Sequence, residues 1–106
     1  ELGLHIGILE NNELVSVMSL FIENRDVQFR KLATRKEMQG KGYASTLMKW
    51  LIDYAKDMKL NKLWCNARKE TVDFYKQFGY KETDKTFSQN GYEYIVMELN
   101  EFEKSR

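Results

Sequence analysis

The sequence holds no proline, one cysteine, one histidine and six glycines in 106 residues, and neither sign of charge dominates it. Each scarcity excludes something. Cys65 alone cannot close an internal disulfide, which fits a reducing, cytoplasmic setting rather than a secreted scaffold. No apolar run is long enough to span a bilayer, and no charged-then-apolar leader opens the chain, so no membrane partner is expected. Lys and Arg number 17 against 16 Asp and Glu, a net charge of +1. That balance argues against global electrostatic binding to nucleic acid. No metal site is expected. The missing prolines remove one marker of domain boundaries, and no repeat or linker appears either. What is present suits one core: 42% hydrophobic residues, with six Phe, six Tyr and two Trp. We expect a single domain over 1–106. The chain starts at Glu1, not Met, which reads as a processed or truncated piece.

Leu4 to Leu9 and Val15 to Phe21 read as strands joined at the turn-prone Asn11-Asn12. Val27 to Thr34 reads as a third strand. Ala44, Leu47, Met48, Leu51, Ala55 and Met58 recur at helical spacing, widened by Ile52, and predict a helix from Tyr43 to about Met58. Lys62 to Ala67 is a short strand. Glu70 to Phe78 reads as a short helix stopped by Gly79. Tyr80 to Thr83 and Tyr92 to Leu99 read as the last strands, turning near Gln89-Asn90-Gly91. Glu101 to Arg106 reads as a frayed tail. Strand, helix and strand in the middle imply a parallel pair with a right-handed crossover. The flanking hairpins make the sheet mixed. The expected class is therefore α/β (α+β), with helices flanking the sheet.

Gln39-Gly40-Lys41-Gly42-Tyr43-Ala44 lies between the third strand and the long helix. Glycines and a small residue there leave backbone N–H groups uncovered at a helix start. Such an end carries the positive pole of the macrodipole and suits a diphosphate. A Walker-type loop needs Ser or Thr after Gly-Lys, but Gly42 follows Lys41. A dinucleotide fingerprint needs an acidic residue ending the next strand, where Asn66 stands instead. Arg25, Arg30, Lys31, Arg35, Lys36, Lys41 and Lys49 crowd this part of the sequence, as a solvated face or as phosphate partners.

Gln39-x-x-Gly42-x-Ala44 resembles the Gln/Arg-x-x-Gly-x-Gly/Ala signature of the Gcn5-related N-acetyltransferases (GNAT). Asn66-Ala67 followed by Phe74-Tyr75-Lys76-Gln77-Phe78-Gly79-Tyr80 is similar to that family's later segment, with its Phe-Tyr pair and Gly-aromatic turn. The likeness runs from about Val15 to Leu99. It implies a mostly antiparallel sheet with a central parallel pair that splays to admit the pantetheine arm of acetyl-coenzyme A. It implies cofactor contacts from Leu32, Ala33 and Thr34, from Gln39, Gly40, Lys41, Gly42, Tyr43 and Ala44, and from Asn66. The family fold also has an earlier strand and two helices that wall the acceptor site. Little of these fits before Leu4, so that wall would be open, or supplied by a homodimer partner or by missing sequence.

Acetyl transfer to an amine needs an anchored thioester, a polarised carbonyl, a neutral amine and a proton for the thiolate. By resemblance Tyr75 is the acid, and otherwise it is a core aromatic beside Val72, Phe74 and Phe78. Asn66 either bonds the cofactor arm or caps a loop. No general base stands out, and His5, Glu10, Glu23 and Glu93 qualify by type only. Cys65 reads as a buried strand residue more readily than as an acyl-carrying nucleophile. Trp50 and Trp64 read as core. The expected function is acetyl transfer from acetyl-coenzyme A to a small-molecule or protein amine in a ternary complex. The alternatives are a non-catalytic acyl-coenzyme A sensor and an interaction domain that has lost the ligand.

Overall fold

A computed structural model describes residues 3–100. Strands β1 (Gly3–Glu10), β2 (Glu13–Glu23) and β3 (Asp26–Thr34) form an antiparallel meander. A 3₁₀ turn, Lys36–Met38, leads to helix α1 (Tyr43–Asp57) and strand β4 (Lys62–Arg68). A second 3₁₀ turn, Lys69–Thr71, opens helix α2 (Val72–Lys76), followed by β5 (Lys81–Gln89) and β6 (Tyr92–Leu99). The six strands form one sheet in the order β1-β2-β3-β4-β6-β5. Among the described strands only β3 and β4 run parallel. This is the mixed, mostly antiparallel sheet that the sequence implies.

The hairpins turn at Asn11-Asn12, Asn24-Arg25 and Asn90-Gly91, where both central residues have positive φ. Such turns carry the twist that antiparallel strands need, and Asn tolerates the left-handed region well. Arg25 is held there by its guanidinium, which donates to the Lys59 carbonyl, while its own carbonyl accepts from Asn61 N–H at 2.8 Å.

The core lies on one face of the sheet. Leu47, Met48, Leu51 and Ala55 of α1 are buried, as the helical spacing predicts. They join Met18, Leu20, Val27, Phe29, Leu63, Cys65, Ala67 and Met97 in one cluster. Val72, Tyr75 and Phe78 pack on the same cluster, so both helices cover the same face. Fully burying a side chain of this size contributes about 1.5–3 kcal/mol, so this face carries the stability.

Four expectations are corrected. Trp50 is 40% exposed and stacks on Tyr54 at 5.2 Å, and Met58 is also exposed, so neither is core. Trp64 is only half-buried. The expected helix from Glu70 to Phe78 splits into the 3₁₀ turn and a short α2, and Phe78 and Gly79 close on i−3 carbonyls. Strand β5 runs past Thr83 to Gln89. Register slips between Glu82 and Thr86, where Thr83 Oγ donates to the Val96 carbonyl at 2.8 Å and accepts from Lys85 N–H at 3.2 Å. That side chain carries the ladder across the bulge. The tail from Glu101 to Arg106 lies outside the described residues.

Candidate active site

The parallel pairing of β3 and β4 is short: Asp26 with Lys62, Val27 with Leu63, and Gln28 with Trp64. Beyond these, β3 runs on to Thr34 and β4 to Arg68 without pairing, so the strands part. A bulge bends the β3 side. Val17 faces Ala33 but Ser19 faces Arg30, which puts Lys31 and Leu32 together against Met18. Lys31 takes a φ of 58°, a left-handed conformation at the bulge. Buried Ser16 pins the strand end: its hydroxyl donates to the Ala33 carbonyl at 3.1 Å and lies 2.9 Å from Thr34 Oγ.

The parted strands open into a cleft of about 900 Å³. Leu32, Ala33 and Thr34 line it from β3, and Gln39, Gly40, Gly42, Tyr43 and Ala44 from the loop and helix start. Gly40 and Gly42 have φ of 81° and 88°. A Cβ on either would meet no atom within 4 Å. Glycine is therefore required by backbone conformation, with open space in front of it, and not by crowding. Helix α1 has no side-chain cap. Its first intrahelical bond runs from Thr46 N–H to the Gly42 carbonyl at 3.0 Å. The N–H groups before Thr46 thus point out of the helix at its positive end, beside the cleft.

Two side chains brace this loop. Gln39 donates to the Thr34 carbonyl at 3.1 Å, tying the loop to the end of β3. Tyr43 donates to Glu10 at 2.8 Å, tying the helix start to β1, and that bond pushes the phenol pKa up. Across the cleft stands Tyr75. Its ring packs against Phe74, Phe29 and Tyr80 at 5.1–5.8 Å. Its hydroxyl bonds no other described residue, yet among the described residues no buried polar side-chain atom lacks a partner, so the group opens to the cleft. Tyr80 is the contrast: buried, with its hydroxyl closed on Met48 Sδ at 3.3 Å.

Residues 3–101 match the acetyltransferase (GNAT) domain family. The chain belongs to the GNAT acetyltransferases. It is 28% identical over 101 residues to the uncharacterized N-acetyltransferase YitI of Bacillus subtilis (strain 168), covering 88% of this chain and 68% of that one. The fold is also that of solved acetyltransferases. The ribosomal-protein-S18-alanine N-acetyltransferase of Escherichia coli aligns with a TM-score of 0.81 at 18% identity, over 92% of this chain and 68% of that one. An aminoglycoside 6′-N-acetyltransferase complexed with coenzyme A aligns at 0.80 and 11%, over 92% and 72%. A putative N-acetyltransferase from Lactobacillus plantarum aligns at 0.79 and 18%, over 87% of this chain and 64% of that one. The chain thus spans about two thirds of the length of these relatives.

Within this GNAT fold, two residues expected at the site are not among those that line the cleft. Lys41 is exposed outside the lining, with Nζ 4.0 Å from Met38 Sδ. Asn66 is exposed on β4, on the face opposite Cys65 and Ala67, and does not line the cleft. The basic run of the sequence also disperses. Arg35 is held by Glu13 at 3.0 Å and Glu37 at 2.6 Å. Arg30 sits over the Phe21 ring and bonds Gln28. The arginine that lines the cleft is Arg68, its guanidinium over the Tyr92 ring, and the sequence reading passed over it together with Glu70, Thr71 and Phe74. The signal was their position between two matched blocks, on a turn too short to show periodicity.

Burial, and then the neighbouring Cys65, push the Tyr75 phenol pKa well above its usual range. Cys65 is 2% exposed, and burial pushes its thiol up to about 12. A thiol so held is neutral at physiological pH and a poor nucleophile. The base candidates fare no better. His5 Nδ1 lies 2.8 Å from Ser19 Oγ on β2, Glu10 is engaged by Tyr43, and Glu93 faces Lys69 at 3.7 Å. Glu23 lies in a different groove. The carboxylate lining the cleft is Glu70, 3.8 Å from Arg68.

Proposed function

We propose that the chain is a single acyltransferase domain that passes an acetyl group from acetyl-coenzyme A to a small-molecule or protein amine in a ternary complex. The observation that carries this reading is the uncapped start of α1, opening into the same cleft as the unbonded Tyr75 hydroxyl. The donor set fits the substrate. Outward N–H groups at a positive helix end suit the diphosphate, with Gly40 and Gly42 leaving room for its approach. Backbone groups of Leu32, Ala33 and Thr34, freed from strand pairing on the β4 side, suit the amide-rich pantetheine arm.

In the reaction the amine nitrogen forms a bond to the acetyl carbon, the carbon–sulfur bond breaks, and the electron pair leaves on sulfur. The nitrogen gives its proton to water or to Glu70. Tyr75 faces the leaving sulfur. A free thiol ionises near pH 8.5, far below this buried phenol, so Tyr75 keeps its proton and stabilises the thiolate as a hydrogen-bond donor. Its role is thus weaker than complete proton transfer, and it stays in the donating form throughout the physiological pH range.

Calorimetry and thermal unfolding with acetyl-coenzyme A test the reading. Ligand at a hundred times its Kd adds about 2.7 kcal/mol of stability, a rise on the order of 10 °C in Tm for a domain of this size. Loss of that shift in Gly42→Glu assigns it to the loop. A folded sample with no heat and no shift overturns the assignment. A second reading, a non-catalytic acyl-coenzyme A sensor, is favoured by the absence of His5, Glu10, Glu23 and Glu93 from the cleft. Binding without turnover over a panel of amines would establish it. The lone, buried Cys65 is consistent with work in the reducing cytoplasm. Homodimerisation is the remaining partner proposal, and sedimentation at working concentration decides it.

A further inference from the structure

We propose that Glu10 and Glu13 are positioning residues for acetyl-coenzyme A: from the end of the β1–β2 hairpin they clamp the two ends of the glycine loop. The inference rests on the acetyltransferase reading above.

The segment between β3 and α1 is not fixed by packing. No residue from 35 to 42 is buried, and Gly40 and Gly42 have positive φ with open space before them. A surface segment of this kind opens at low cost unless polar bonds hold it. A diphosphate needs its N–H donors set before it arrives, because ordering them on binding subtracts from affinity. Gln39 ties the middle of the loop back to Thr34. The ends are tied elsewhere. Arg35 opens the segment and donates to Glu13 at 3.0 Å, while its backbone N–H donates to the Val15 carbonyl at 2.9 Å. Tyr43 closes it as the first residue of α1, and donates to Glu10 at 2.8 Å.

The two accepting carboxylates stand together. Glu10 and Glu13 are direct cross-strand partners on either side of Asn11-Asn12. Like charges so placed destabilise a hairpin. Packing at that end does little to offset this, since the adjacent partners Leu9 and Leu14 are 63% and 52% exposed. Tyr43 and Arg35 supply the donors that compensate the pair. Those donors lie 33 and 22 positions along the chain from their acceptors, at opposite ends of one loop. Neither carboxylate lines the cleft. Hairpin and loop, each weakly packed, thus hold one another.

Such coupling is reciprocal. The hairpin keeps the loop N–H groups set toward the empty cleft. A diphosphate on the loop must in turn steady the hairpin, although it touches neither carboxylate.

The test places its first substitutions on the hairpin, outside the cleft. Glu10→Ala should weaken acetyl-coenzyme A binding about fivefold by calorimetry, and Glu13→Ala should do the same through Arg35. The KM for acetyl-coenzyme A should rise by that factor with kcat held, since the thioester end is untouched. Glu10→Gln should restore binding, because its amide oxygen accepts from Tyr43. The urea midpoint of Glu10→Ala should not fall, since the facing charge is relieved as the bond is lost. Tyr43→Phe combined with Glu10→Ala should bind no more weakly than Tyr43→Phe alone. Amide exchange at residues 9–14 should slow when acetyl-coenzyme A binds the parent chain, and slow less in Glu10→Ala. If the parent and both alanine variants bind equally, the positioning role is overturned and the acetyltransferase reading stands. A loss of affinity that only tracks a loss of urea stability overturns it too. A parent chain that binds no acetyl-coenzyme A overturns the acetyltransferase reading and this inference with it.

Discussion

Tyr75 is a residue whose surroundings decide its chemistry. Aromatic rings enclose the phenol and its hydroxyl meets the cleft. Tyr75→Phe keeps those ring contacts and removes one donor. The expected result is a fall in kcat on the order of 10²-fold, with the Kd of acetyl-coenzyme A unchanged by calorimetry. Unaltered turnover removes Tyr75 from the mechanism. Because its pKa is raised, kcat should show no basic limb from this phenol below about pH 10. The sequence pointed to Tyr75 through its Phe-Tyr context, but not to its open hydroxyl against the sealed one of Tyr80, since burial depends on which strand lies opposite. Arg68 and Glu70 were illegible for a related reason. A turn residue acquires meaning only when the parting of β3 and β4 puts it at the mouth of the cleft.

Among the elements, the start of α1 carries the binding prediction. Gly42→Ala puts a Cβ on a residue at φ 88°, which costs about 1–2 kcal/mol. It also places a methyl group in the open space before the helix N–H groups. Urea unfolding should show that loss of stability, and calorimetry should show a larger loss of acetyl-coenzyme A affinity. Affinity that falls no further than stability would mean that the loop is structural. Gln39→Ala isolates the brace between loop and β3. Its bond is exposed, so stability should change by less than about 1 kcal/mol while affinity drops. Helix α1 was legible because its buried positions recur every three to four residues. Strand β5 was legible only as far as Thr83, because Lys81–Gln89 sits at the sheet edge, exposed except at Thr83, and shows no alternation. Trp50 misled because a large aromatic within an apolar stripe reads as core. On a helix covered on one side only, it lies just outside the stripe.

At the scale of the whole molecule, one-sided burial sets the response to alkali. Cys65, Tyr75 and Tyr80 lie together in or against the core, and burial raises the pKa of each. Each is neutral when protonated, so the folded state holds these protons more tightly than the unfolded chain does. The unfolded Cys thiol ionises near pH 8.5 and Tyr near 10. Above those values the native state binds more protons, and stability falls as pH rises, by up to about 1.4 kcal/mol per pH unit for each group. The stability is complete below about pH 8 and declines toward pH 12, with Cys65 acting first. Urea unfolding at pH 7.5, 9.5 and 10.5 should therefore give a steepening loss. Cys65→Ala removes the first proton to be released, so its loss between pH 8 and 10 should be smaller than that of the parent chain. Equal losses in the two proteins would show that the thiol is not held neutral by this core, and would weaken the case that the phenol beside it keeps its proton during transfer.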